Sequence, residues 1–157
     1  MSKQHTFRIG LSMAGAVSAG AYTAGVMDYL LEALENWQKA KELGLPGVPQ
    51  HDVIIEVLSG ASAGGMTAVI TTAAVQKDFP HVNQQNYLTD VNQKNPLFDS
   101  WVNLTEEPAK DMMAQMLSTE DIFDVQSVNP NKEVRSIFNS LFIEKIARRT
   151  MDSIIKD

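Results

Sequence analysis

Asp52-Val53-Ile54-Ile55-Glu56-Val57-Leu58-Ser59-Gly60-Ala61-Ser62-Ala63-Gly64-Gly65 reads as a strand that runs straight into a tight turn. The first seven residues are dominated by β-branched and aliphatic side chains, the composition of a strand buried on both faces. The next six are all small, so the chain can reverse sharply there. Met66 to Val75 then continues as an apolar, alanine-rich segment that predicts a helix. Strand, turn and helix therefore follow one another without a linker.

The same order occurs upstream. Phe7 to Leu11 predicts a first buried strand, and Ser12 to Gly20 is a loop of small residues. From about Ala21, Val26, Leu30, Ala33, Leu34 and Trp37 recur at three- and four-residue steps and line one face of a helix. Gly44 and Pro46 are its stop signals. Strands alternating with helices imply an α/β fold with a parallel sheet flanked by helices.

Downstream the pattern weakens. Gln76 to Asn103 is polar, carries Pro80 and Pro96, and reads as loop with short helical pieces. Pro108 to Met116 predicts a short helix, and Val128 to Asn131 a turn. Val134, Ile137, Phe138, Leu141, Phe142 and Ile146 repeat at helical spacing, with Met151, Ile154 and Ile155 extending the stripe; this helix is expected to pack on the core. No third strand with a buried pattern follows Leu58.

Composition removes several classes of function. A net charge of -6 over 157 residues leaves no basic patch for nucleic acid and disfavours electrostatic docking on anionic lipid. The absence of cysteine excludes disulfides, a thiol nucleophile and thiolate-bound zinc. His5, His51 and His81 lack metal-ligand spacing, so no metal and no cofactor is expected. Lys3 and Arg8 before the apolar run Ile9 to Val26, with Ala19-Gly20-Ala21 as a cleavage-like site, resemble a signal peptide only weakly, because the run is rich in Gly, Ala and Ser; a cytoplasmic location is favoured over secretion.

Gly60-Ala61-Ser62-Ala63-Gly64 fits Gly-x-Ser-x-Gly between a strand and a helix, the arrangement of a nucleophile elbow. The spacing has a physical cause. A serine lifted clear of a sheet edge needs the chain two residues before and after it to pass close by, which leaves no room for side chains. The amides that open the following helix can then stabilise an oxyanion, each such donor contributing about 3–4 kcal/mol. A phosphate loop is the chemical rival. Gly15 and Gly20 have the glycine spacing, but Ala21 and Tyr22 stand where Lys and Ser/Thr belong, and neither loop carries Gly-x-Gly-x-x-Gly.

Leu11-Ser12, the small-residue loop, Gly20-Ala21-Tyr22-Thr23-Ala24-Gly25-Val26 and Leu58 to Gly65 together resemble the opening of patatin-like phospholipases over roughly residues 7–75. The resemblance implies that residues 1–157 form the N-terminal portion of a single patatin-like domain. It implies a lipid acyl hydrolase with Ser62 as nucleophile, a lipid ester as substrate and a transient membrane-surface contact. By match, Gly15 contributes an oxyanion-hole amide; Ala14 and Ala16 are alternative donors, and Ala63 follows the nucleophile. The loop departs from the family: it is about two residues longer, keeps only Gly15 and Gly20 of the usual glycines, and has Val17 or Ser18 in place of the basic residue. The family's activating aspartate sits in an Asp-Gly motif, and no Asp-Gly dipeptide occurs here, so Asp90, Asp99, Asp111, Asp121 and Asp124 fail the motif. The fold is accordingly expected to be incomplete at its C-terminus and these residues alone inactive. Two further readings stay open: a degenerate, non-catalytic binding module, and a nucleotide-binding α/β domain. His81, the single histidine after Ser62, is expected to be an exposed loop residue, as is His51 at the surface.

Overall fold

A computed structural model describes residues 5–16, 19–103, 112–119 and 138–155. Strand β1 (Thr6–Met13), helix α1 (Gly20–Glu42), strand β2 (Asp52–Gly60) and helix α2 (Ala63–Ala74) come first. Helices α3 (Val91–Lys94), α4 (Pro96–Val102), α5 (Met112–Met116) and α6 (Ser140–Ile155) follow. The protein is therefore α/β, and β1 and β2 pair in parallel from Thr6↔Asp52 to Met13↔Gly60. The Val128 to Asn131 turn, and Val134 and Ile137 of the last stripe, lie outside the described residues.

The ladder slips once. Ile9 pairs with Ile55 but Gly10 pairs with Val57, so Glu56 is an extra residue on β2. A bulge of this kind shifts the in-out alternation by one position. Ile55 and Leu58, three apart, consequently both pack on the core. Across the bulge Arg8 Nη1 meets Glu56 Oε1 at 2.8 Å, an exposed pair worth little.

The core joins three helices and one sheet face. Ala24, Met27 and Leu31 of α1, Ile70 of α2 and Leu97 of α4 form it, with Leu11, Met13, Leu30, Ile55, Leu58, Phe79 and Trp101 packed around them. The buried stripe of α1 is thus rotated from the expected one: Val26 is 48% exposed and Ala33 faces solvent, whereas Ala24, Met27 and Asp28 are buried. Ala24 and Met27 share the core cluster with Leu97 of α4.

The expectation of two fully buried strands is corrected. Phe7 is 60%, Ile54 42% and Val57 55% exposed. Among the described residues the sheet has two strands, and helices α1, α2 and α4 cover the face that carries Leu11 and Ile55. The β-branched run therefore marks the strand correctly, and its second face lies open.

Local signals end and start the helices. Gly44 adopts φ 64°, a left-handed turn that favours glycine, just after α1, whose last turn carries Lys39 and Lys41. Helix α4 begins with Pro96 at its first position, and the Asn95 carboxamide oxygen accepts from the Phe98 amide at 2.8 Å. In α6, Phe142, Ile146, Thr150 and Ile154 repeat at four-residue steps and are buried against α2 and α4, whereas Ile155 is exposed. Core packing of this helix holds; the stripe runs through Thr150 rather than Ile155.

Candidate active site at the β2–α2 turn

Ser62 occupies the corner between β2 and α2. Its backbone lies at φ 48°, ψ -119°, and it is the one non-glycine residue with positive φ among the described residues. Such a conformation costs on the order of 1–3 kcal/mol and persists only where its surroundings impose it. They do so on three sides. The Ala61 amide donates to the Met13 carbonyl at 3.2 Å, tying the turn to the end of β1. The Gly64 amide donates to the Ala61 carbonyl at 2.9 Å, and the Met66 amide to the Ser62 carbonyl at 3.0 Å, closing the first turn of α2.

The two elbow glycines are steric requirements. A Cβ on Gly60 would overlap the Gly64 backbone, and one on Gly64 would overlap the Met13 carbonyl. Ala63 and Gly64 are buried in this contact, while Ala61 and Ser62 stay exposed. The serine side chain thus stands at the surface above a turn made of main chain packed on main chain.

The first small-residue loop lies against this corner. A Cβ on Gly15 would sit 3.0 Å from the Ala61 carbonyl and 3.1 Å from the Ser62 Cβ. Gly15, with Ala16 next to it, is therefore adjacent to Ser62, and Ala63 follows it directly at the start of α2. The structure brings all seven residues of the sequence-derived site, Gly15, Ala16, Gly60, Ala61, Ser62, Ala63 and Gly64, to one end of the two strands. Val17 and Ser18 lie outside the described residues.

Of the five candidate aspartates, the two among the described residues bond to other side chains. Asp90 pairs with Lys94, and Asp99 with Arg149 and the Asn103 amide. Asp111, Asp121 and Asp124 lie outside the described residues. His81 corrects the expectation of an exposed loop residue: its side chain is only 11% exposed. Its Nδ1 lies 2.6 Å from Asp28 Oδ1, and its Nε2 faces Glu35 Oε1 at 3.3 Å without hydrogen-bond alignment. Asp28 also accepts from the Val82 amide at 3.0 Å and from Asn95 Nδ2 at 2.9 Å. Through Asp28, His81 is a staple between α1 and the loop that follows α2. His51 is half-buried, packed edge-on against Trp37 at 4.6 Å.

A groove of about 870 Å³, lined in part by Trp37, Lys41, His51, Val53 and Phe79, lies at the starting end of β2. Nine strand residues, roughly 30 Å at about 3.3 Å each, separate that end from Ser62, so the groove belongs to different surroundings. Among the described residues no three His, Cys, Asp or Glu side chains gather as metal ligands, and no helix is long and apolar enough to cross a membrane.

Asp28, Asn95 and Trp101 escaped the sequence reading although each shapes this region. An aspartate on an apolar helix face was the available signal for the first, and Asn-Pro before a short apolar run for the second.

The chain is similar to the uncharacterized protein y4iI of Sinorhizobium fredii (strain NBRC 101917 / NGR234), with 42% identity over 124 residues. That alignment covers 74% of this chain, and the chain spans 17% of the relative's length. No family model matches the sequence. No solved structure matches it either.

Proposed function

We propose that these residues carry the nucleophile of a serine acyl hydrolase acting on lipid esters. The observation that supports this most strongly is the strained, exposed Ser62 at the β2–α2 corner, with Gly15 packed against it. A serine in this setting attacks an ester carbonyl, the alcohol leaves, an acyl-enzyme forms, and water releases the fatty acid. In this reading the backbone amides of Gly15, Ala16 and Ala63 receive the oxyanion. The patatin-like motifs supply the lipid-ester class and the expectation of an activating aspartate, which these 157 residues do not contain in the family's Asp-Gly form.

The test is hydrolysis of p-nitrophenyl esters and of a diacyl phospholipid by the full-length gene product and by its Ser62→Ala variant. Ser62→Ala is expected to lose activity by at least about 10³-fold, in line with removal of a serine nucleophile. Equal rates in the two proteins would end the reading. A non-catalytic module of the same fold is favoured by one observation, that Asp28, Asp90 and Asp99 are engaged with His81, Lys94 and Arg149. Fluorophosphonate labelling separates the two, since an unactivated serine labels poorly.

A further inference from the structure

Two glycines flank the loop between β1 and α1, and each is pressed against a different element. Gly15 abuts the corner at Ala61 and Ser62. Gly20, the first residue of α1, lies under the six-membered ring of Trp101, where any Cβ would overlap the ring carbons. Gly15 is therefore in contact with the turn that carries Ser62, and Gly20 with an indole from α4.

Trp101 also packs against the core cluster of Ala24, Met27, Leu31, Ile70 and Leu97. Its indole N–H is buried without an acceptor, so hydrogen bonding does not hold the ring there. Contact does. The helix that carries the ring is itself fixed at both ends. Asn95 caps its start and reaches across to Asp28 of α1 and to the Pro80 carbonyl. Arg149 of α6 donates to the Asp99 carbonyl at 3.1 Å and to the Asn103 carbonyl at 2.6 Å at its end. Leu97, fully buried, seats the helix among Ala24, Met27 and Leu31 of α1. A seven-residue helix is too short to be stable alone, so these anchors determine where the indole sits.

We propose that Trp101 is a positioning residue for the Ser62 site: through Gly20 it sets the start of α1 and so the height of the Gly15–Ala16 amides over the serine. The inference rests on the acyl-hydrolase reading for its catalytic consequence. A displaced loop would leave ester binding unchanged and weaken only the oxyanion contacts, which strengthen as the carbonyl becomes tetrahedral. The effect belongs in kcat.

The test uses the full-length gene product with Trp101→Leu, Trp101→Phe and Ser62→Ala, read by ester kinetics and by amide hydrogen exchange of residues 12–20. Trp101→Leu is expected to lower kcat by roughly 10- to 100-fold, as misplacement by about 1 Å does, with KM unchanged. Exchange of residues 12–20 rises while residues 66–74 of α2 keep their protection. Trp101→Phe, which retains a ring over Gly20, restores both readouts most of the way. Parent-like kcat in Trp101→Leu, a change in KM alone, or faster exchange without a fall in kcat would each overturn the proposal. If Trp101→Leu loses protection in α2 as well, Gly20→Ala, which forces the same contact apart from the other side, is judged by the same criteria. Should Ser62→Ala hydrolyse esters as fast as the parent, the acyl-hydrolase reading falls by itself. The exchange arm then still decides whether Trp101 orders the loop, and unchanged exchange would overturn that part too.

Discussion

At Ser62 the backbone stores strain that a glycine would not feel. Its φ of 48° with ψ of -119° lies where a Cβ is crowded. Ser62→Gly is therefore expected to stabilise the fold, by on the order of 1 kcal/mol, while abolishing any chemistry at this position. Urea unfolding followed by circular dichroism measures the first effect, and a loss of stability would argue that the corner is not strained. The glycines divide by the same logic. Gly64→Ala places a methyl on the Met13 carbonyl and is expected to cost on the order of 1–3 kcal/mol or to prevent folding. Gly25, in the middle of α1, has open space where its Cβ would lie, so Gly25→Ala is expected to add roughly 0.5–1 kcal/mol. Opposite signs in two Gly→Ala variants, measured side by side, are the outcome to look for.

Among the elements, α4 is short yet central. Asn95 is fully buried and bonds to three partners, Asp28, the Pro80 carbonyl and the Phe98 amide. Asn95→Ala is expected to cost about 2 kcal/mol, combining a lost cap with a buried carboxylate deprived of one donor. Asn95→Asp keeps the cap acceptor but sets a second carboxylate against Asp28, and it is expected to be no better; thermal melts of the two variants decide. This is also where reading the sequence failed. The first strand–loop–helix and second strand–turn–helix units were legible because glycine, β-branched runs and helical periodicity all act locally. Helix α4 was legible only as one of the short helical pieces expected within Gln76 to Asn103, because seven residues show little periodicity and its place depends on Asp28, sixty-seven positions away from Asn95, and on Arg149. His81 was misread for the same reason: a histidine beside a proline in a polar stretch gives no sign of the buried aspartate that holds it. The buried face of α1 was rotated from the expected one too: Ala24 and Met27, not Val26, share the core cluster with Leu97. The cluster at Ser62 was legible nearly in full, because its geometry demands small residues at fixed intervals and little else.

For the molecule as a whole, charge and exposed apolar surface work in opposite directions. Net charge is -6, and the second face of the sheet presents Ile54 and Val57 to solvent. Association with lipid, where it occurs, is expected to be apolar in origin and indifferent to anionic headgroups. Sedimentation with phosphatidylcholine vesicles, with and without phosphatidylserine, at low and high salt checks this. Stronger pelleting with phosphatidylserine that salt reverses would contradict it.

Between the end of β1 and the opening of α2 there is only peptide: the Met13 carbonyl on one side and Gly64 on the other, with no side chain interposed. A gap of that kind behaves as a fixed gauge. Substitution cannot widen it by degrees, as it can a cavity lined by Leu or Val; it can only leave the gauge intact or jam it. Divergent copies of this chain should therefore differ freely around the rim of the corner while the clearance itself stays constant, and any change in what the corner accommodates has to be made by residues that never touch the gap.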